Sequence, residues 1–226
     1  MIRCHQVQRV FEGPSGRIHG LRDVTLEIDR GEWVVVHGPS GSGKSTLLLT
    51  LGGMMHPSSG AVQFDGTDLY ALSASARNRL RATAIGFVFQ LFHLVPYLTV
   101  TENVLAGLPA QAGVADRARV GEVLAQLGLT ERANSHPATL SAGERQRTAL
   151  ARALVKQPRL ILADEPTGNL DEANAAIVFE HLDRFRRQGG TVVVVSHGRD
   201  ADAHATCVLQ MNAGQLHAAP KPAHVG

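Results

Sequence analysis

The chain has 226 residues, 44% of them hydrophobic, and a formal net charge of +2. That length suits one domain with a subdomain, and the apolar content suits an ordinary core. The small net charge gives no global argument for binding nucleic acid or an anionic membrane. Cys4 and Cys207 lie far apart and in no C-x-x-C pattern, which reads as a reduced, cytosolic protein. No apolar run approaches the roughly 20 residues of a membrane span, and the N-terminus has no signal-peptide core. Any action at a membrane therefore requires another chain to supply the span. The eleven histidines are scattered, without H-E-x-x-H or Cys/His spacing, and read as incidental rather than metal-binding.

In chain order, Val24, Leu26 and Ile28 alternate with polar residues as in a half-buried strand. Trp33-Val34-Val35-Val36 is a continuous apolar run, the pattern of a strand buried on both faces. A glycine loop follows it, and residues 44–51 then read as a helix stopped by Gly52-Gly53. Residues 61–64 read as a strand, 73–82 as an Arg-rich helix and 85–89 as a strand ending at Gln90. Between residues 91 and 138, helical segments near 100–105 and 116–127 alternate with Gly and Pro breaks. A helix over 142–156 follows, then a strand over 160–163. A helix over 173–187 carries Ile177, Val178, Leu182 and Phe185 on its apolar side. The β-branched run 191–195 reads as a buried parallel strand ending at Ser196-His197. Segments 207–211 and 215–216 suggest a terminal hairpin, and residues 218–226, with Pro220 and Pro222, a loose tail. The fold class expected is α/β, with a mainly parallel sheet and a helical insertion over about residues 91–157, all within one domain spanning 1–226; the motifs that follow, and the family they resemble, further imply a P-loop NTPase core and an N-terminal antiparallel β-subdomain.

Two phosphate motifs dominate. Gly38-Pro39-Ser40-Gly41-Ser42-Gly43-Lys44-Ser45 matches G-x-x-x-x-G-K-[ST] in full. Consecutive backbone N–H groups in such a loop surround a phosphate at the positive end of a helix. Lys44 would neutralise β- and γ-phosphate oxygens and Ser45 would hold Mg²⁺. Asp164, at the end of an apolar strand, can bind Mg²⁺ directly or through water, and Glu165 can polarise the attacking water as general base. The amide of Gln90 can sense Mg²⁺ and that water. His197 ends a strand on the edge where parallel α/β sheets bind ligands, within reach of a γ-phosphate. Ser141-Ala142-Gly143-Glu144 opens a helix; it reads as a capping box, and equally as a second anion site facing the γ-phosphate of another subunit. Asp171 reads either as a helix N-cap or as a bridge between subunits.

In this order the motifs resemble those of the ATP-binding cassette ATPases, along nearly the whole chain. Gly38–Ser45 is similar to the Walker A loop, Gln90 to the Q-loop, Leu140–Glu144 to the signature, Leu160–Asp164 with Glu165 to Walker B, Gly168–Asp171 to the D-loop and His197 to the H-loop. The resemblance implies ATP and Mg²⁺ as cofactors. It also implies a head-to-tail homodimer in which each ATP lies between one subunit's Walker A and the other's signature. Glu165 is then the catalytic base, His197 the γ-phosphate sensor, and Gln90 and Lys44 assist. The nucleotide-binding set covers Gly38, Pro39, Ser40, Gly41, Ser42, Gly43, Lys44, Ser45 and Thr46 in one chain, and Ser141, Ala142, Gly143, Glu144 and Asp171 across the interface. Ser45, Gln90 and Asp164 form the metal set. Phe11 corresponds to the aromatic that stacks on adenine.

A narrower resemblance, to the lipoprotein-releasing and macrolide-export ATPases, rests on Phe89-Gln90-Leu91-Phe92-His93-Leu94-Val95-Pro96, on Leu98 to Val104, and on Gly143 to Arg147 with Ala163 to Asp171. It implies a peripheral subunit on the cytoplasmic face of the inner membrane that drives a separate integral-membrane permease, with a periplasmic adaptor as a further partner and no nucleic acid. The alternatives are a division-type relative that regulates cell-wall hydrolysis without export, and a soluble cassette ATPase acting on nucleic acid or ribosomes.

Two positions depart from the family pattern. Ala142 stands where the signature usually has its first glycine, and Gly198 where an aspartate usually follows the histidine. A positive φ at 142 would cost an alanine about 1 kcal/mol. Ser141 as an N-cap instead makes Ala142 the first helical residue, where alanine is favourable.

Overall fold

The computed structural model describes residues 1–13 and 16–218. The tail expected over 218–226 lies outside the described residues except for its first residue, which ends the last strand. Two sheets form the molecule. The smaller is antiparallel and pairs β1 (Ile2–Gly13) with β2 (Gly16–Ile28) on one side and with β4 (Ser59–Phe64) on the other, β5 (Thr67–Asp68) lying at the edge. The larger has the order β10-β9-β3-β8-β7-β6, from Gln215–Ala218, Cys207–Asn212, Trp33–His37, Thr191–Ser196, Leu160–Asp164 and Ile85–Phe89. All of its pairings are parallel except β9 with β10. This is the α/β architecture expected from the sequence, a mainly parallel sheet with an antiparallel sheet beside it.

The long strand β1 escaped the period-2 reading for a physical reason. Its pairing with β2 shifts register between Cys4 and Val7, between Val7 and Arg9, and between Arg9 and Val10, and Gln6 has a φ of 46°. Bulges of this kind break the alternation of faces.

The central strands are buried on both faces, and alternate residues feed two separate cores. Trp33, Val35, Val192, Val194, Ile161 and Ala163 face the core beneath α5 (Ala142–Leu154) and α6 (Glu172–Arg187). Val34, Val36, Val193, Val195, Leu160 and Leu162 face the core that contains α1 (Lys44–Leu51) and the inner face of the small sheet. Each fully buried aliphatic side chain stabilises the fold by roughly 1.5–3 kcal/mol. In α6 the buried face is Ala175, Val178, Phe179 and Leu182. Ile177, expected on that face, is 37% exposed, because the helix turns it away from the strands.

The segment following β6 is tied by one buried amide. Asn103, in α3 (Val100–Leu105), accepts from the Val95 N–H at 2.7 Å and donates to the carbonyls of Val95, Leu98 and Thr99 at 3.0–3.1 Å. A leucine of similar volume leaves these backbone groups unpaired in a dry site. Asn103→Leu is therefore expected to lower stability by about 3 kcal/mol, measured by urea unfolding.

Candidate functional site: the phosphate edge of the parallel sheet

Strand register brings the motifs together. Phe89 pairs with Asp164, Asp164 with Val195, and Val195 with Val36. One residue further along the same edge come Gln90, Glu165, Ser196 and His37, and then the glycine loop and His197. Parallel strands end at a common edge, so four segments separated by as much as 160 residues deliver their polar ends to one place.

The loop from Gly38 to Gly43 leaves β3 and enters α1. Gly41 and Gly43 have φ of 77° and 107°, a region that excludes most side chains. A Cβ on Gly43 would also overlap the carbonyl of Gly20, and one on Gly38 the carbonyl of Met211. The Lys44 ammonium donates to the carbonyls of Gly38 at 2.6 Å and Pro39 at 3.1 Å, which fixes its charge across the mouth of the loop. Ser40, Gly41, Gly43, Lys44, Ser45 and Thr46 line a cleft of about 770 Å³ together with Phe11, Gln90, Asp164, Glu165 and His197. Its far wall is Ile18, His19 and Gly20 from β2. Nothing in their local sequence marks these residues; the small sheet brings them over the loop. Phe11 lies beside Gly20, with the Arg9 guanidinium 4.7 Å from its ring centre. Gly38, Pro39 and Ser42 form the back of the loop, where the Ser42 hydroxyl is buried without a hydrogen-bond partner.

The acidic pair divides into two environments. Burial raises the Asp164 carboxyl above the usual carboxylate range, opposed by a hydrogen bond from Ser45; the neighbouring Glu165 adds to the rise, and Lys44 counters it. A bound divalent cation would relieve that cost, so Asp164 and the neighbouring Ser45 fit a site that would hold one. Glu165 has a φ of 45°, a strained backbone for a non-glycine residue that costs of order 1–3 kcal/mol. Its N–H donates to the Val195 carbonyl at 2.9 Å, which holds the turn. Its carboxylate lies 2.9 Å from Nδ1 of the exposed His197 and accepts from the Ser196 hydroxyl at 3.2 Å. Ser196 was not singled out in the sequence, although its place one residue before His197 at the strand end was the available signal. Gln90 lies against Gly168, and its carbonyl accepts from the Asn169 amide at 3.0 Å.

Ser141, Ala142, Gly143, Glu144 and Asp171 do not line this cleft. They sit together elsewhere. Ser141 is the N-cap of α5, and Ala142 is its first helical residue, without positive φ. The Glu144 carboxylate accepts from the Ser141 N–H at 2.7 Å, which holds its pKa below the usual range; the Arg132 ion pair at 2.8 Å adds to this. Asp171 caps α6, accepting from the Asn174 backbone N–H at 2.8 Å and from its side-chain amide. The same Asn174 amide accepts from Arg147 at 3.1 Å and abuts Gly143, where a Cβ would overlap it. Fully buried Gln146 donates to the Pro166 carbonyl at 2.5 Å. These bonds join the signature helix to the segment after Glu165. Asn174 and Gln146 were missed in the sequence; a glutamine on the Ala149–Ala153 face of α5 was the one visible signal.

A family profile described as ABC transporter matches residues 21–168. The chain belongs to the ABC transporter family. It is an ATP-binding and ATP-hydrolysing subunit. It is 44% identical over 218 residues to the lipoprotein-releasing system ATP-binding protein LolD of Bordetella pertussis, covering 95% of this chain and 94% of that one. The Bordetella avium protein of the same name is 43% identical, at 95% coverage of both. Among solved structures, the dimeric bacterial ABC transporter cassette MJ0796 superimposes with a TM-score of 0.89 at 36% identity, covering 96% of both chains. Its post-hydrolysis dimer bound to ADP and Pi superimposes with a TM-score of 0.88 at 35% identity.

The capping geometry makes two expectations for this cassette. Ala142→Gly should lower stability by about 0.5–1 kcal/mol and leave ATPase activity within about threefold, since the position demands no positive φ. Ser141→Ala should cost about 1 kcal/mol of stability. Thermal unfolding and steady-state phosphate release check both.

Proposed function

We propose that the chain is the ATPase subunit of a transporter of the lipoprotein-release or macrolide-export kind, hydrolysing Mg²⁺-ATP in a head-to-tail homodimer at the cytoplasmic face of the inner membrane. The observation that carries the reading is the division of its phosphate-binding groups. The glycine loop, Asp164, Glu165 and His197 share one cleft, while Ser141 to Glu144 offer a second helix N-terminus outside it. A single chain thus has two halves of a site, and a second copy in inverted orientation would complete both. The similarity to a dimeric cassette supports this arrangement.

In the completed site, backbone N–H groups of residues 40–45 bind the β-phosphate, and Lys44 pairs with the β/γ oxygens. Ser45 and Asp164, with Gln90 alongside, would hold Mg²⁺, which would supply charge neutralisation on the phosphates. Glu165 accepts the proton of the attacking water. His197, hydrogen-bonded to Glu165, lies where its imidazole meets the γ-phosphate. Phe11 covers the adenine. Ser141, Ala142 and Gly143 of the second copy present the α5 N-terminus to the γ-phosphate, with Asp171 at the interface.

Coupling to a permease is supported by a second surface. A groove of about 460 Å³ lies between β6, α2 (Ala74–Ala84), the end of α3 and α5. It is lined by Met54, Phe87 and Leu108 and by three cations, Arg81, Arg152 and Lys156. Burial, with Arg81 and Arg152 nearby, pushes the Lys156 ammonium down to about 8. An apolar segment carrying a carboxylate would suit this lining, and the groove is contiguous with the segment following Gln90. Among the described residues no helix is long and apolar enough to cross a membrane, so the span falls to the partner.

Two outcomes are expected. Glu165→Gln should lower ATPase activity at least about 100-fold and accumulate an ATP-bound dimer, seen by size exclusion with Mg²⁺-ATP; rapid turnover would reject Glu165 as the base. Tagged Glu165→Gln protein, extracted in mild detergent with Mg²⁺-ATP from its own host, should retain a permease with a large extracytoplasmic domain, and Leu108→Asp should abolish that retention. Cell-wall hydrolases on the permease would favour the division-type role. Ribosomal or DNA-repair proteins with no permease would overturn the membrane reading.

A further inference from the structure

His37, the last residue of β3, stands one position before the phosphate loop, and its side chain is 12% exposed. Its ring spans two other segments. Nε2 lies 2.6 Å from Oδ1 of Asp202, in the 3₁₀ turn Asp200–His204, and Nδ1 lies 3.2 Å from the Ser196 carbonyl oxygen at the end of β8. His197 lies between those two anchors in the chain. The Ser196 hydroxyl, in turn, donates to Glu165 and accepts from the Gly198 N–H at 3.1 Å. Gly198 has no side chain with which to anchor the segment itself, so the bond to Asp202 is the side-chain tie between this turn and the end of β3.

Both partners of the ring are acceptors. A neutral imidazole carries one N–H and one bare lone pair, so it satisfies only one of them and turns its lone pair on the other. A ring with a proton on each nitrogen donates to both. The charged groups its hydrogen bonds reach are Asp202 and, through Ser196, Glu165; the turn that carries Asp202 also carries Asp200 and His204. From β9 its backbone partner is the neutral Gln210, and the Lys44 ammonium is turned to the Gly38 carbonyl.

We propose that His37 is a positioning residue for hydrolysis: a doubly protonated bracket between Asp202 and the Ser196 carbonyl that holds His197 and Glu165 in register with the phosphate loop. The sign follows from the proton count. The bracket is intact while both nitrogens carry protons and is lost when rising pH removes one of them. Hydrolysis by this chain should therefore fall on the alkaline side. The proposal rests on the ATPase reading only for its kinetic consequence.

Asp202→Asn is the discriminating variant. An asparagine amide can donate to Nε2, so a neutral ring with its proton on Nδ1 then satisfies both neighbours. Wild-type kcat at saturating Mg²⁺-ATP should fall at least about threefold between roughly pH 6 and 8, with the KM for ATP nearly constant. Asp202→Asn should flatten that fall, and so should His37→Gln, whose amide donates at every pH. The Glu165–His197 pair is present in all three proteins, so only the difference from wild type reports on His37. Nitrogen-15 imidazole spectra of the full-length, nucleotide-free chain, assigned with His37→Gln, give the second readout. Both His37 nitrogens should be protonated in the wild type near neutral pH and only one in Asp202→Asn. A neutral His37 ring in the wild type, or the same alkaline fall in wild type and Asp202→Asn, would overturn the proposal. A wild type without ATPase activity would reject the ATPase reading, and the spectra would still decide the state of the ring.

Discussion

The site depends on one constraint, the parallel register of β6, β7, β8 and β3. Because these strands run in the same direction and pair in register, residues at their C-terminal ends form a row: Phe89, Asp164, Val195 and Val36. Strands lie about 4.8 Å apart, so the residues that follow are close enough to share one bound phosphate group. The register is held by burial on both faces. A slip of one residue in any of these strands would exchange its two sets of side chains between the cores above and below the sheet. The forces that pack Trp33, Val35, Val192 and Val194 on one side, and Val34, Val36, Val193 and Val195 on the other, are therefore the forces that align the chemistry.

On that rigid edge the strain and the charge are local. Glu165 keeps a backbone conformation unfavourable to it because its N–H is tied to Val195 and its carboxylate to Ser196 and His197. Asp164, one residue earlier, is held above the usual carboxylate range by burial, despite the Ser45 hydrogen bond and the nearby Lys44. Two adjacent carboxylates thus lie in different environments, one buried beside Ser45 and Lys44 and one bonded to Ser196 and His197.

The signature helix obeys a different logic. The N–H groups of Ser141 and Glu144 are satisfied within the chain by the capping box, and Asn174 fills the space beside Gly143 while binding both Asp171 and Arg147. The N-terminus of α5 is thereby fixed relative to the segment that follows Glu165. An anion docking on that helix would meet a surface already registered to the chain's own cleft, which is a physical route by which two sites in a dimer can sense one another.

Much of the site was legible in the sequence because its chemistry is written in short, local patterns. A glycine loop between an apolar run and a helix, an acidic pair after a second such run, and Ser-x-x-Glu before a helix each depend on residues within one turn or strand. Ser141 as a cap and Ala142 as the first helical residue followed from the same locality. The strand β1 did not, because its bulges destroy the period-2 pattern, and Ile177 was misplaced because 3.6-residue periodicity alone does not say where a stripe ends. The sequence by itself determined the chemistry available and the order of its parts. The tertiary structure alone decided that β2 brings His19 and Gly20 over the phosphate loop, that Ser196 meets Glu165, that Asn174 joins two motifs, and that His37 lies between two acceptors. These are contacts between residues separated by up to 165 positions; the packing of two sheets around α1 selects them, and no local pattern encodes it.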